Sequence, residues 1–269
     1  MPGVATGPEM SVRRLFSAKG LAELHQMVRA KPLLAFDFDG TLAPIVARPD
    51  DARVPAPTCR RLGLLAERLR LAVITGRTVS DVLPRLGFTP WQVIGSHGAE
   101  DPLDVRTADL AVALEPVRMQ LDRHAGELQR AGVSIEDKGL SIALHYRLAR
   151  DRDAAGRGIA LALGGIGAHV TVSHGKMVVN VVPKAANDKA AALRVLLARA
   201  GTTRAIFVGD DVNDEPVFEA GEPDWLTIRV GATSAQTHAR YFIESPLAMP
   251  RLLDELIAAL EPGVAPDIA

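Results

Sequence analysis

Asp37-Phe38-Asp39-Gly40-Thr41-Leu42 directly follows the apolar run Leu33-Leu34-Ala35-Phe36. The run reads as a buried strand, so two carboxylates stand at its carboxyl end, where open α/β sheets place their active sites. In an extended segment Asp37 and Asp39 share one side and Phe38 points to the other. Gly40 permits the sharp turn that takes the chain out of the sheet. Two like charges this close call for a cation between them, and oxygen-only donors suit Mg²⁺. One carboxylate of such a pair can attack phosphorus while the other moves protons. A solvated acidic turn is the plain structural alternative.

Three further segments fit the same chemistry. Thr75-Gly76-Arg77 follows the apolar Leu71-Ala72-Val73-Ile74. Gly209-Asp210-Asp211-Val212-Asn213-Asp214 follows Ile206-Phe207-Val208, and Asn187-Asp188-Lys189 opens a helical stretch. In a parallel sheet these ends converge on one edge. A transferring phosphoryl group spreads charge over its equatorial oxygens, which a metal, a lysine, a hydroxyl and backbone N–H groups can neutralise. Singly, each segment has a bland reading: a strand-to-helix turn, an exposed lysine, and carboxylates capping a helix N-terminus. Their order and shared position favour the joint reading.

The elements that must position these residues alternate strand and helix. One amphipathic helix is expected over residues 12–30, and strand 33–38 follows. Next come a helix from Thr58 to Arg70, strand 71–74, a helix from Thr78 to Leu86 and strand 91–94. This pattern predicts a parallel Rossmann-like sheet. After Glu100 the rhythm changes. A long helix over 107–131 precedes strands 133–137 and 140–147, then a helix over 151–163 and strands 168–173 and 176–182. This αββαββ module reads as an inserted α+β domain of residues 104–184, with residues 1–103 and 185–269 forming the α/β core. In the core the helices 187–200, 213–220 and 247–260 and the strands 204–208, 225–230 and 240–243 complete the pattern.

Composition narrows the class. With 48% apolar and 23% charged residues the chain is globular. A net charge of -1 gives no support for a nucleic-acid or anionic-membrane partner. The single cysteine, Cys59, excludes a disulfide framework and a cysteine zinc cluster. Residues 1–10 have no apolar core of a signal peptide, and no stretch suits a bilayer span. The expectation is therefore a cytoplasmic monomer acting on a small molecule. Gly164-Gly165-Ile166-Gly167 follows a helix and is no dinucleotide loop, and the histidines lack zinc-like spacing.

Together with Gly95-Ser96-His97-Gly98-Ala99-Glu100, Ala143-Leu144-His145-Tyr146-Arg147 and Gly175-Lys176-Met177-Val178, these segments resemble the trehalose-6-phosphate phosphatase family of the haloacid dehalogenase (HAD) superfamily. The resemblance runs from Asp37 to about Phe218. It implies a phosphatase with Asp37 as nucleophile and Asp39 as general acid/base. It implies Mg²⁺ held by Asp37, the Asp39 carbonyl and Asp210, supported by Asp211, Asn213 and Asp214. It assigns phosphate binding to Thr75, Gly76 and Lys189, and makes the inserted module a cap. Sugar contacts are expected from Arg77, His97, His145, Arg147, Lys176 and Asn180, although His97 suits a structural hydrogen bond equally well. By alternation Lys176, Val178, Asn180 and Val182 share one strand face, and Ser141, Ala143, His145 and Arg147 another.

Four positions depart from the family's common pattern. It usually has Glu at Asn180, a basic residue at Val182, Thr at Asn213 and Gly at Ala190. The first two lie in the cap and bear on the sugar. Two other readings stand beside trehalose 6-phosphate hydrolysis. One is another sugar phosphate, such as sucrose phosphate or a phosphorylated glycosyl-glycerate. The other is a phospho-acceptor signalling domain, which needs neither this length nor an inserted module; release of phosphate beyond one equivalent distinguishes the two classes.

Overall fold

The computed structural model describes residues 12–175, 177–231 and 237–261. The elements up to the change of rhythm are β1 (Arg13–Arg14), α1 (Ala18–Arg29), β2 (Leu33–Phe36), α2 (Ala56–Ala66), β3 (Leu71–Ile74), α3 (Val79–Leu86) and β4 (Gln92–Ile94). The middle of the chain forms α4 (Thr107–Val112), α5 (Glu115–Arg130), β5 (Ser134–Asp137), β6 (Ile142–His145), α6 (Arg152–Ala162), β7 (Val170–Gly175) and β8 (Val178–Pro183). The remainder forms α7 (Lys189–Ala200), β9 (Ala205–Gly209), α8 (Glu215–Glu219), β10 (Trp225–Val230), β11 (Tyr241–Ile243) and α9 (Met249–Leu260). Among the described residues no helix is long and apolar enough to cross a membrane.

Two compact units divide the chain. The first comprises residues 1–75, 80–93 and 189–269, and the second comprises 76–79 and 94–188. The first is built on a seven-stranded sheet in the order β1-β11-β10-β9-β2-β3-β4. Neighbours from β1 through to β3 pair in parallel. Strands β2, β3 and β9 are buried at every position, as near-continuous apolar runs in a parallel sheet require. Helices α1, α2 and α9 pack together, and α7 packs on β2, β3 and α8.

The second unit carries a four-stranded antiparallel sheet in the order β5-β6-β8-β7. Its alternation is clear: Ile142, Leu144, Val179 and Val181 join the cluster that includes Leu121 and Leu128 of α5 and Ile159 of α6. The register then leaves Glu136, Ala143, Asn180 and Ser173 as a row across the four strands on the other face.

Four local expectations are corrected. Residues 12–30 are not one helix: Arg13–Arg14 pairs with β11, and Ser17 caps a helix that starts only at Ala18, accepting from the Gly20 N–H at 3.1 Å. The helix expected over 107–131 is broken between α4 and α5, because Pro116 fits the first turn of a helix and not its interior. Strand β6 ends at His145, so Arg147 lies in an exposed turn and shares no strand face with His145. There the Tyr146 N–H already bonds the Met177 carbonyl, outside the ladder that begins at Val178. The chain also turns directly after β2 instead of running extended to Phe38. The Phe38 carbonyl accepts from the N–H groups of Leu42 and Ala43, at 2.9 and 2.8 Å.

Candidate active site

Strands β2 and β9 are neighbours, and the Asp37 N–H donates to the Val208 carbonyl at 2.9 Å. From β2 the chain builds outward through β3 to β4, and from β9 it builds the other way through β10 to β11. The β2/β9 boundary is thus the topological switch point, where a crevice opens at the carboxyl ends of the strands. Asp37 follows β2, Thr75 follows β3 and Asp210 follows β9. All belong to the first unit, as do Asp39, Lys189, Asp211, Asn213 and Asp214.

The Thr41 hydroxyl donates to Asp210 Oδ1 at 3.0 Å, tying together turns 169 residues apart. Gly40 is needed on two counts. Its φ of 78° lies in the left-handed region, and a Cβ there would stand 2.1 Å from Asp210 Oδ2. Gly209 is likewise confined, since a Cβ would lie 2.4 Å from the Asp214 carboxyl carbon.

Charge is concentrated here with little water to screen it. Lys189, the first residue of α7, is buried with Asp37 and Asp214. Its Nζ lies 3.0 Å from Asp37 Oδ1 and 2.6 Å from Asp214 Oδ1. Burial opposes its charge, but the two carboxylates outweigh burial and raise its pKa. Asp214 Oδ2 accepts the Asp211 N–H at 3.0 Å, and Asp211 caps the turn Val212–Asp214 in return. The Asn213 amide donates to Asp211 Oδ2 at 2.9 Å. Asp214 thus takes part both in the capping box with Asp211 and in the ion pair with Lys189.

One ammonium does not balance three carboxylates. Oxygens of Asp37, Asp210 and Asp214 all lie within 4.8 Å of one another. Burial first, opposed by Lys189 but reinforced by Asp214 and Asp210, lifts the Asp37 pKa well above the ordinary carboxylate value. Asp210 is pushed up to about 7 by burial and then by Asp214. An oxygen-only donor set with surplus negative charge fits a hard divalent cation. Asp214 is engaged by Lys189 and the Asp211 N–H, Asp37 Oδ1 by Lys189 and the Phe38 N–H, and Asp210 Oδ1 by the Thr41 hydroxyl. Thr75 is wholly buried and Asp39 half-buried in its turn.

Gly76, Arg77, His97, His145, Arg147 and Asn180 belong to the second unit. The His97 ring fills the space beside Gly76, where a Cβ would lie 2.3 Å from its Cε1. His97 and Ser96 both have positive φ, at 59° and 50°. The Ser96 N–H donates to the Arg77 carbonyl at 2.8 Å. His145 Nε2 lies 2.9 Å from Glu136 Oε2 on the sheet face turned away from that unit's hydrophobic cluster, where Asn180 is half-buried and Ala143 buried. Lys176 lies outside the described residues.

Sequence alone gives Glu136 and Lys138 no site role, although it places Lys138 at a hairpin turn. Lys138 Nζ lies 3.6 Å from Glu136 Oε2 and 3.5 Å from the Gly76 carbonyl oxygen. The His145 hydrogen bond, with help from Lys138, lowers the Glu136 pKa against a smaller effect of burial. The available signal was the scarcity of lysine, six in the chain, with one of them at a hairpin turn.

The sequence matches the trehalose-phosphatase family over residues 35–246. A relative from Sinorhizobium fredii, named as a probable trehalose-phosphate phosphatase, is 38% identical over 84% of this chain and 86% of its own length. The crystal structure of a trehalose-6-phosphate phosphatase related protein superposes with a TM-score of 0.69 at 26% identity, covering 84% of this chain and 97% of that one. A haloacid dehalogenase-like hydrolase from Bacteroides thetaiotaomicron shares the fold. Its TM-score is 0.61 at 15% identity, over 84% of this chain and 99% of its own.

Proposed function

The chain belongs to the trehalose-phosphatase family of phosphoric monoester hydrolases, and from that premise we propose that it hydrolyses trehalose 6-phosphate to trehalose and phosphate through a phosphorylated Asp37. One observation carries the mechanism: buried Asp37 is oriented by Lys189 at 3.0 Å and adjoins Asp210, which is tied to Thr41. An Asp37 carboxylate oxygen attacks phosphorus, and the bond from phosphorus to the sugar oxygen breaks. Asp39 gives its proton to the departing sugar oxygen. It then takes a proton from the water that attacks the aspartyl phosphate, which releases phosphate and restores Asp37. Lys189, the Thr75 hydroxyl and the Gly76 N–H bear the charge on the phosphoryl oxygens. Asp211, Asn213 and Asp214 support the site, since Asp214 fixes the Lys189 ammonium and the Asp211 N–H. Asp37, Asp210 and the Asp39 carbonyl would hold Mg²⁺, which would neutralise the negative charge shared by carboxylates and phosphate.

The sugar is read by the antiparallel unit through Asn180, His145 and Lys176, with Arg77, His97 and Arg147 as further contacts. Asn180 both donates and accepts, so it can pair with a sugar hydroxyl in either sense. The test is phosphate release with Mg²⁺ over a set of sugar phosphates that includes sucrose phosphate and a phosphorylated glycosyl-glycerate. Trehalose 6-phosphate should give the highest kcat/KM. A higher value for another member would reassign the substrate, and release limited to one equivalent would point to a phospho-acceptor.

A further inference from the structure

Arg229 of β10 is the register partner of Gly209, the last residue of β9, and paired strands lie about 4.8 Å apart. At Gly209 the chain leaves the sheet for the acidic run Asp210–Asp214, and the missing Cβ there makes room for the Asp214 carboxyl. Arg229 Nη1 donates to Glu215 Oε1 at 2.9 Å. Glu215 directly follows Asp214 and opens α8. One ion pair thus ties the far end of the acidic run to the strand beside its root.

This is not a solvated surface pair, whose worth would be small. The two side chains are 14% and 16% exposed, and a charge so shielded is costly without its partner. Arg229 Nε is buried with no hydrogen-bond partner among the described residues, so that atom does not tie the guanidinium elsewhere. Glu215 is held from a second side, since its Oε2 accepts the His238 N–H at 3.1 Å. Carboxylate oxygens of Glu215 and Glu219 and a ring nitrogen of His238 lie close enough together for a cation. A guanidinium and a backbone N–H already engage the Glu215 oxygens, however, which makes Glu215 a strut and not a ligand.

A strut is needed at that point. Asp214 holds the Lys189 ammonium at 2.6 Å with one oxygen and the Asp211 N–H at 3.0 Å with the other. The same ammonium stands 3.0 Å from Asp37 Oδ1, so a displaced Asp214 displaces the partner of Asp37. Helix α8 has five residues, too few for helix cooperativity to hold its start in place. We propose that Arg229 is a positioning residue for the reaction: through Glu215 it fixes Asp214, and so the place at which Lys189 meets Asp37. Every residue in this series of contacts belongs to the first unit. The inference rests on the reading in which Asp37 is the nucleophile. It gives β10, which supplies no residue to the site itself, an effect on the chemical step.

The test uses the full chain with Mg²⁺ and two substrates, trehalose 6-phosphate and p-nitrophenyl phosphate, which has no sugar. Rates are taken well below each variant's melting temperature, so that a merely structural loss leaves kcat of the folded molecules unchanged. Arg229→Met should lower kcat about tenfold on both substrates with little change in KM. Arg229→Lys should recover most of that loss, because Nη1 makes the contact without Nε and an ammonium can donate in its place. The double variant Arg229→Met/Glu215→Gln should be no slower than Arg229→Met, since both changes break one contact. It leaves no unpaired carboxylate, so it decides if Arg229→Met fails to fold. Unchanged kcat in the folded variant, a loss carried by KM, or Arg229→Lys as slow as Arg229→Met would each overturn the inference. A wild-type protein that turns over neither substrate would instead overturn the phosphatase reading, and this inference with it.

Discussion

Replacing Gly40 by alanine separates backbone strain from damage to the site. The residue has φ 78°, where an alanine costs roughly 1–2 kcal/mol. That alone should lower the melting temperature by about 2–8 °C for a chain of this size. The second effect is local. The added Cβ would stand 2.1 Å from Asp210 Oδ2, whereas ordinary contacts begin near 3.4 Å, so the carboxylate must retreat by more than an ångström. Its hydrogen bond from Thr41 is then lost or displaced. Metal ligands tolerate shifts of only about 0.2 Å, and a misplacement near 1 Å in a catalytic array costs on the order of 10²-fold. Gly40→Ala should therefore lower kcat/KM about 100-fold and raise the Mg²⁺ concentration for half-maximal rate. Gly201→Ala is the matched control: φ is 65° and nothing lies within 4 Å, so it should lose similar stability and keep full activity. The assay is phosphate release against Mg²⁺ concentration, with melting curves for both variants. If the two variants behave alike in both measurements, the space beside Asp210 is not what Gly40 provides.

Asp37→Asn should abolish turnover, because an amide does not attack phosphorus, and Asp39→Asn should slow it by about 10²–10⁴-fold; steady-state kinetics with retained activity in Asp37→Asn would refute the mechanism. Lys189→Met leaves Asp37 and Asp214 buried without their ammonium, a loss of about 3–5 kcal/mol that melting curves would show as a fall of roughly 10 °C or more. The Asp210 carboxyl, raised to about 7, carries a proton in the folded state between its ordinary range and neutrality that the unfolded chain lacks. Its contribution to the stability of the metal-free protein is thus present at low pH and lost as pH rises through about 7. A cation must displace that proton, so Mg²⁺ affinity should rise with pH up to about 7, with protons released on binding near pH 6. Calorimetry in two buffers of different ionisation enthalpy measures this release, and binding without protons at pH 6 would contradict the raised carboxyl.

Local sequence was sufficient for features that depend on neighbours along the chain. Leu33–Phe36, Leu71–Ile74 and Ala205–Gly209 are uninterrupted apolar runs, and each does form a fully buried strand. The strand–helix alternation was enough for the parallel sheet, and the two hairpins were enough for the antiparallel one. Asp37, Asp210 and Lys189 could be named as a set because strand ends in a parallel sheet share one edge. Their pairing could not be named. Lys189 takes both Asp37 and Asp214 because β2 lies beside β9 and α7 packs on β2, and no local period encodes which strands are neighbours. For the same reason Asp214, which equally suited a helix cap, turned out to be buried against an ammonium. Strand ends were misjudged where partners run out. Arg147 continues the β6 pattern in sequence, but its neighbour Tyr146 already bonds a turn residue. The Arg229–Glu215 contact was invisible on the same ground. The two residues stand 14 positions apart, and only the pairing of β10 with β9 sets Arg229 beside the strand end from which the chain runs on to Glu215. Strand pairing is made by backbone groups, which every residue type possesses, so only the folded chain can show which strands they join.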